Sequence, residues 1–197
     1  MLEFQALYDE FKPRIYRYLI YMVGVNEAED VTQEVFAKVD RALKDFRGQS
    51  RLSTWIYRIA TNAALDKIRG SSFRKDLVTD SISELEEHGR GRDAMEDDKV
   101  PSADREAMKQ EMNACIRGYV EGLPEKYRTV LVLSEFEGLK NSEIAEILQV
   151  SLETVKIRLH RARAGLKEKL EQTCTFYHDE RSELACDRKQ PTPSEES

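Results

Sequence analysis

The sequence predicts an all-α fold built from two small helical domains. Three observations carry that prediction. Apolar residues recur at three- and four-residue intervals through residues 1–75 and again through 109–172. Two stretches poor in large apolar residues, 76–108 and 173–197, set the blocks apart. Charge is segregated as well. Residues 1–75 hold 13 basic and 10 acidic side chains, 76–106 hold 4 and 11, 107–172 hold 11 and 10, and 173–197 hold 3 and 6. The net charge of −6 therefore resides in a central tether and a tail, and the helical blocks are neutral to basic.

The first block reads as three helices. Leu7, Phe11, Ile15, Leu19 and Met22 form one stripe, which Gly24 ends. Val31, Val35, Val39, Leu43 and Phe46 form the second, with Asn26 as its expected cap, Glu29 as the reciprocal partner, and Glu27 and Asp30 near the positive helix end. "FRGQSRLS" is a loop, and Ser53 is the expected cap of a third helix with Trp55, Ile59, Ala63 and Ile68 inward. From Arg51 to Lys75 this helix carries six Lys or Arg (Arg51, Arg58, Lys67, Arg69, Arg74, Lys75) against one acid, Asp66. Trp55, Tyr57 and Asn62 lie among them. Two readings stand: a nucleic-acid surface of basic, polar and stacking groups, or a solvated face with Trp55 in the core.

Residues 76–106, "DLVTDSISELEEHGRGRDAMEDDKVPSADRE", have the composition of an extended linker. The second helical block follows. Pro124 suits a helix start, Gly138 ends that helix, and Asn141 or Ser142 opens a short one, "SEIAEIL". Gln149 to Ser151 is a tight turn, and Ser151 caps a long last helix with Glu153 in its first turn. A short helix, a three-residue turn and a second helix make a helix-turn-helix. Ile144, Leu148, Val150 and Val155 are its expected core, with Ala145 small enough for a close crossing. On the last helix Val155, Leu159, Ala162, Leu166 and Leu170 share a stripe. Lys156, Arg158, His160, Arg161, Arg163 and Lys167 fall outside it, the arrangement of a recognition helix that presents cations to a groove.

The three cysteines do not form an even disulfide framework. Cys115, among Met108, Met112, Ile116 and Tyr119, reads as a buried small hydrophobe. Cys174 and Cys186 flank "TFYHDERSELA", which contains His178. Two cysteines and one histidine at that spacing fall short of a four-ligand zinc pattern. A metal site on Cys174, His178 and Cys186, a redox pair and a partner-docking tail are the three readings, and "DRKQPTPSEES" reads as disordered. The longest apolar run, "YLIYMV", is far below the ~20 residues that span a bilayer. With no secretory signal at the N-terminus, the expected location is the cytoplasm.

Two motifs together resemble a known family. "AEDVTQEVF" followed by "STWIYRIATNAALDKIR" is similar to region 2 of bacterial sigma factors, and "LPEKYRTVLVLSEFEGLKNSEIAEILQVSLETVKIRLHRAR" is similar to region 4. Only a short acidic linker separates them, as in the extracytoplasmic-function group, and the likeness covers roughly residues 5–172. It implies a sigma region 2 bundle over 1–75, a linker over 76–108, a region 4 helix-turn-helix over 109–172 and a tail over 173–197. It further implies a promoter-specificity subunit that binds core RNA polymerase and promoter DNA, is controlled by an anti-sigma factor, and needs no cofactor and no membrane insertion. On that resemblance Asp30, Gln33, Glu34 and Phe36 dock on the polymerase clamp. Arg51, Ser53, Asn62, Asp66 and Arg69 engage and open the −10 element, with Trp55 packing the domain. Thr154, Lys156, Arg158, His160 and Arg161 meet the −35 element. Ile157 departs from the small polar residue common in the family. The acidic linker would thread toward a channel that holds RNA.

Two other classes fit the sequence less well. A stand-alone helix-turn-helix regulator, like those with LuxR-type output domains, would carry an α/β sensing domain, and the first block has no strand pattern. An enzyme would need a nucleophile–base constellation or a phosphate loop, whereas the chain has three scattered histidines and neither feature.

Overall fold

The structure, a computed structural model, describes residues 3–78, 103–178 and 184–189. Most of the acidic tether and the end of the tail lie outside those residues. Helix α1 (Phe4–Val23) buries Leu7, Phe11, Ile15, Tyr18, Leu19 and Met22 on one face. It stops at Gly24, whose φ of +84° is open to glycine at no steric cost and whose N–H still bonds Ile20 O at 3.0 Å. Helix α2 (Val25–Leu43) starts at once, with Gly24 as its N-cap and no side-chain cap. Asn26 is thus inside the first turn and is not the cap expected of it. Helix α3 (Leu52–Val78) also begins two residues earlier than a Ser53 cap would set it, so Ser53 lies inside it.

These three helices enclose the first core. Val31, Val35 and Val39 of α2 meet Ile56, Ala60, Ala63 and Ala64 of α3 and the α1 stripe, all buried. The three alanines let α3 approach closely. Each large aliphatic side chain so removed from water contributes about 1.5–3 kcal/mol. Tyr18 is fully buried, yet its hydroxyl is paired with Thr61 Oγ1 at 2.9 Å, so no polar atom of that ring is stranded.

The second block holds α4 (Ala103–Glu121), α5 (Glu125–Leu131), α6 (Asn141–Leu148) and α7 (Leu152–Thr173). Helix α5 widens into a π-helical turn over Val132–Phe136, closed by Glu137 N–H on Val132 O at 3.1 Å. Val120, Val130, Leu131, Val132, Leu133, Ile144, Ile147, Val155, Leu159 and Ala162 form the core here. Ile144 and Val155 are buried as expected, but Ile147 is the second fully enclosed residue of α6, and Leu148 and Val150 are only half-buried. Lys140 precedes α6, and its N–H donates to Glu143 Oε2 at 2.9 Å. Ser151 caps α7 as expected: Thr154 N–H donates to its Oγ at 3.1 Å. Gln149 makes the turn between the two helices in the left-handed region, at φ +53°.

The segment after α7 departs from expectation. Cys174–His178 (β1) and Leu184–Arg188 (β2) pair antiparallel, with Phe176 opposite Cys186 and Cys174 opposite Arg188. Lys189 N–H closes the hairpin on Thr173 O at 2.9 Å. Thr175, Phe176 and Tyr177 favour strands individually, but a run this short, next to acidic residues, has no period long enough to register as a strand.

Candidate nucleic-acid interface

The opening turns of α7 combine a buried rail and an outward cationic face. Val155, Leu159 and Ala162 point into the core. Lys156, His160 and Arg161 are exposed, and Thr154 and Arg158 are half-buried beside them. Leu152 and Ile157 are 44% and 45% exposed on the same outer side, so the face offers apolar surface as well as charge. Arg161 also lies near Tyr127 of α5. The nearby Arg161 and Lys126 pull the Tyr127 phenol below its usual range. Arg163, farther along, is turned away from this face by Glu135, with Nη2 to Oε1 at 2.6 Å. All five residues expected at the −35 element therefore sit on the first three turns of one helix, and Tyr127 is a neighbour of that face that sequence reasoning missed.

Asn62, Asp66 and Arg69 recur at i, i+4 and i+7 along α3 and are exposed on one stripe. Arg51 lies just before the helix and Ser53 in its first turn, exposed and half-buried respectively. Neither nearby aromatic residue offers an open stacking face at the centre of this surface. Tyr57 is fully buried, and Trp55 is half-buried against Phe46, with ring centroids 5.0 Å apart. Trp55 thus packs the domain.

This stripe faces the second block. Arg51 Nη1 donates to Glu143 Oε1 at 2.7 Å, Arg58 Nη2 donates to Glu146 O at 3.0 Å, and Arg69 Nη2 lies 3.5 Å from Glu125 Oε1. Beneath them, Tyr57 donates a short hydrogen bond to the buried Glu137 carboxylate, whose other oxygen lies 3.5 Å from Arg17 Nε. Burial, and then the adjacent Glu137, hold the Tyr57 phenol far above its usual range. Arg128 Nη1 donates to Met22 O at 3.1 Å, and Tyr21 stacks on Phe136 with ring centroids 4.3 Å apart. The partners in these contacts lie 56 to 120 residues apart in the chain, and no local pattern could have paired them.

On α2, Asp30, Gln33 and Glu34 are exposed on one stripe, and Glu34 pairs with Lys38 at 2.7 Å. Phe36 is different. It is 2% exposed and packs edge-on against Tyr8 at 4.9 Å, so its ring supports the acidic stripe from inside and cannot touch a partner on the surface. Among the described residues, no three His, Cys, Asp or Glu side chains are arranged to hold a metal ion. His178 is exposed at the far end of β1 from the buried Cys174. The same described residues contain no helix long and apolar enough to cross a membrane.

Comparison with known proteins agrees with this two-part organisation. The family model for sigma-70 region 2 matches residues 7–74, and that for sigma-70 region 4 matches residues 113–166. The RNA polymerase sigma-H factor of Pseudomonas aeruginosa is 36% identical over 169 residues, covering 85% of this chain and 86% of the relative. The ECF RNA polymerase sigma factor SigW of Bacillus subtilis is 35% identical over 169 residues, covering 85% and 88%. In fold, the chain is similar to the sigma factor RpoE solved with the anti-sigma factor NepR from Bartonella quintana, with a TM-score of 0.65 at 20% identity, covering 85% of this chain and 96% of that one. It is likewise similar to CnrH solved with the cytosolic domain of CnrY, with a TM-score of 0.61 at 22% identity, covering 86% and 88%. With its bundle, its helix-turn-helix and both matches in this order, the chain belongs to the extracytoplasmic-function group of the sigma-70 family of RNA polymerase sigma factors.

Proposed function

We propose that this protein docks on core RNA polymerase in the cytoplasm and selects promoters by reading two elements at once, without itself catalysing a reaction. The observation that supports this most is the pairing of two outward polar faces, one on each block. The α7 face of Thr154, Lys156, Arg158, His160 and Arg161 has the composition and helix position of a −35 reader. Arg and Lys side chains there can pair with guanine O6 and N7 or fix the register on phosphates. The α3 face of Arg51, Ser53, Asn62, Asp66 and Arg69 is assigned to the −10 element, where polar side chains hold bases that have left the stack. The acidic stripe of Asp30, Gln33 and Glu34 is assigned to the polymerase clamp, with Phe36 as its internal support.

We assign region 2 to residues 1–75, the acidic linker to 76–108, region 4 to 109–172 and a tail to 173–197. An anti-sigma factor is the expected inhibitor, because the relatives of similar fold were solved in complexes with such proteins. In vitro transcription tests the reading. Purified chain plus core polymerase should initiate at promoters that core polymerase alone ignores. Tight promoter binding by the chain alone, with no effect on core polymerase, would overturn it in favour of a stand-alone regulator.

A further inference from the structure

The face that α7 turns outward has an apolar centre. At about 100° per residue, Ile157 falls almost directly opposite the buried rail of Val155, Leu159 and Ala162. It is 45% exposed. Its surface neighbours, three and four residues away, are Glu153, Thr154, His160 and Arg161. Lys156 and Arg158 stand to either side of it on the helix. Glu153, the one acid here, lies 3.9 Å from Lys156 Nζ, so its charge is partly offset. A single exposed isoleucine carries little information on an ordinary surface. This one stands at the midpoint of the cationic face, and every residue already assigned to that face is polar or charged.

We propose, on the assignment of α7 to the −35 element, that Ile157 is a specificity-determining residue that reads the C5-methyl group of one thymine there. A major groove about 12 Å wide accepts one helix, with base edges on its floor and phosphates along its walls. Long cations at the sides of the helix, Lys156 and Arg158, suit the walls. The short side chain at the centre of the face meets the floor. There the thymine methyl is the one protruding apolar group, among hydrogen-bond donors and acceptors. Isoleucine has neither donor nor acceptor. Against adenine or guanine it would cover polar atoms from water and return no hydrogen bond, which is unfavourable. Against cytosine it would leave a gap where the methyl stands. Discrimination thus has an attractive half and a repulsive half. The charge pattern favours DNA over a protein as the occupant. Cations ringing an apolar spot complement phosphates, whereas burying them against an apolar partner is costly.

The test uses holoenzyme assembled from the full-length chain and core polymerase. It selects duplex promoters from a pool with a randomised −35 segment. The enriched set should hold a thymine at one fixed position. Deoxyuridine there, which removes only the methyl, should weaken binding roughly fourfold, the equivalent of burying one methyl group. In Ile157→Ser holoenzyme thymine and deoxyuridine should bind equally, and Ile157→Val should keep the difference. A helix stabiliser with no base contact would not produce a methyl effect at one position. Deoxyuridine without effect at every enriched thymine, or a methyl effect that survives Ile157→Ser, would overturn the proposal and leave α7 at the −35 element. Loss of core polymerase binding in Ile157→Ser would place the residue in a protein contact and overturn it as well. A pool that enriches no −35 sequence would overturn the assignment of α7 itself.

Discussion

Glu137 shows what a single residue contributes. It closes the π-turn after α5, is nearly buried, and accepts from Tyr57 while facing Arg17, so one carboxylate ties α1 and α3 to the second block. A buried phenol left without its acceptor costs about 1–3 kcal/mol. Glu137→Ala should therefore lower unfolding stability by roughly that amount. Tyr57→Phe made in the Glu137→Ala background should cost far less than in the wild type, which a urea double-mutant cycle would measure. The two buried tyrosines also set a pH limit. Burial raises both Tyr18 and Tyr57 above the ordinary value of 10.0. Their neutral forms are favoured in the folded chain, so this contribution is whole below pH 10 and is lost as pH climbs through the folded values. Denaturant stability should stay level up to about pH 10 and then fall, and Tyr57→Phe should make the fall shallower. A fall that begins near pH 8 would contradict this. Tyr57 was legible as one of a set of aromatics among cations, but its burial was not. The residue that accepts its hydrogen bond lies eighty positions away, and no spacing rule reaches that far.

The recognition helix is where local chemistry decided most, and it was the most legible element. Ser151 and its acceptor role, the Val155–Leu159–Ala162 rail and the outward cations all follow from short-range rules, since a cap and a 3.6-residue period need no tertiary partner. The same rules misplaced Asn26 and Ser53. At α2 the glycine that ended one helix also served as the cap of the next, and at α3 the helix extended backward past its polar residue. The tail hairpin escaped for a related reason, because five-residue strands carry too few alternations to stand out. Two outcomes are expected here. Arg161→Ala should weaken −35 duplex binding by about 1–3 kcal/mol, near tenfold or more, and leave core polymerase binding unchanged. Ser151→Ala should cost about 1 kcal/mol of stability and move −35 affinity less than Arg161→Ala. Equal loss of polymerase and promoter binding in Arg161→Ala would contradict its assignment to DNA.

For the whole molecule, the fold class and the division into two helical blocks were readable from periodicity and composition. The arrangement of the blocks against each other was not, because it rests on ion pairs between side chains that each looked like ordinary surface charge. In the structure α3 and the residue just before it supply the cations and the second block the carboxylates: Arg51 to Glu143, Arg58 to Glu146 and Arg69 to Glu125. Arg51 and Arg69 are also assigned to the −10 element. A guanidinium committed to a carboxylate is not available to a phosphate or base, so the closed arrangement and −10 binding draw on the same groups. Each exposed pair contributes little, ~0–1 kcal/mol. Replacing Glu125, Glu143 and Glu146 together by Gln should thus raise the affinity of the isolated protein for −10 single-stranded DNA by roughly three- to tenfold at low salt. The gain over wild type should shrink as salt rises, because added ions screen the carboxylates as well as the phosphates. Titration of a fluorescent −10 oligonucleotide at two ionic strengths would measure both effects. Unchanged affinity in the triple variant would show that these arginines are not shared between the closed chain and the promoter.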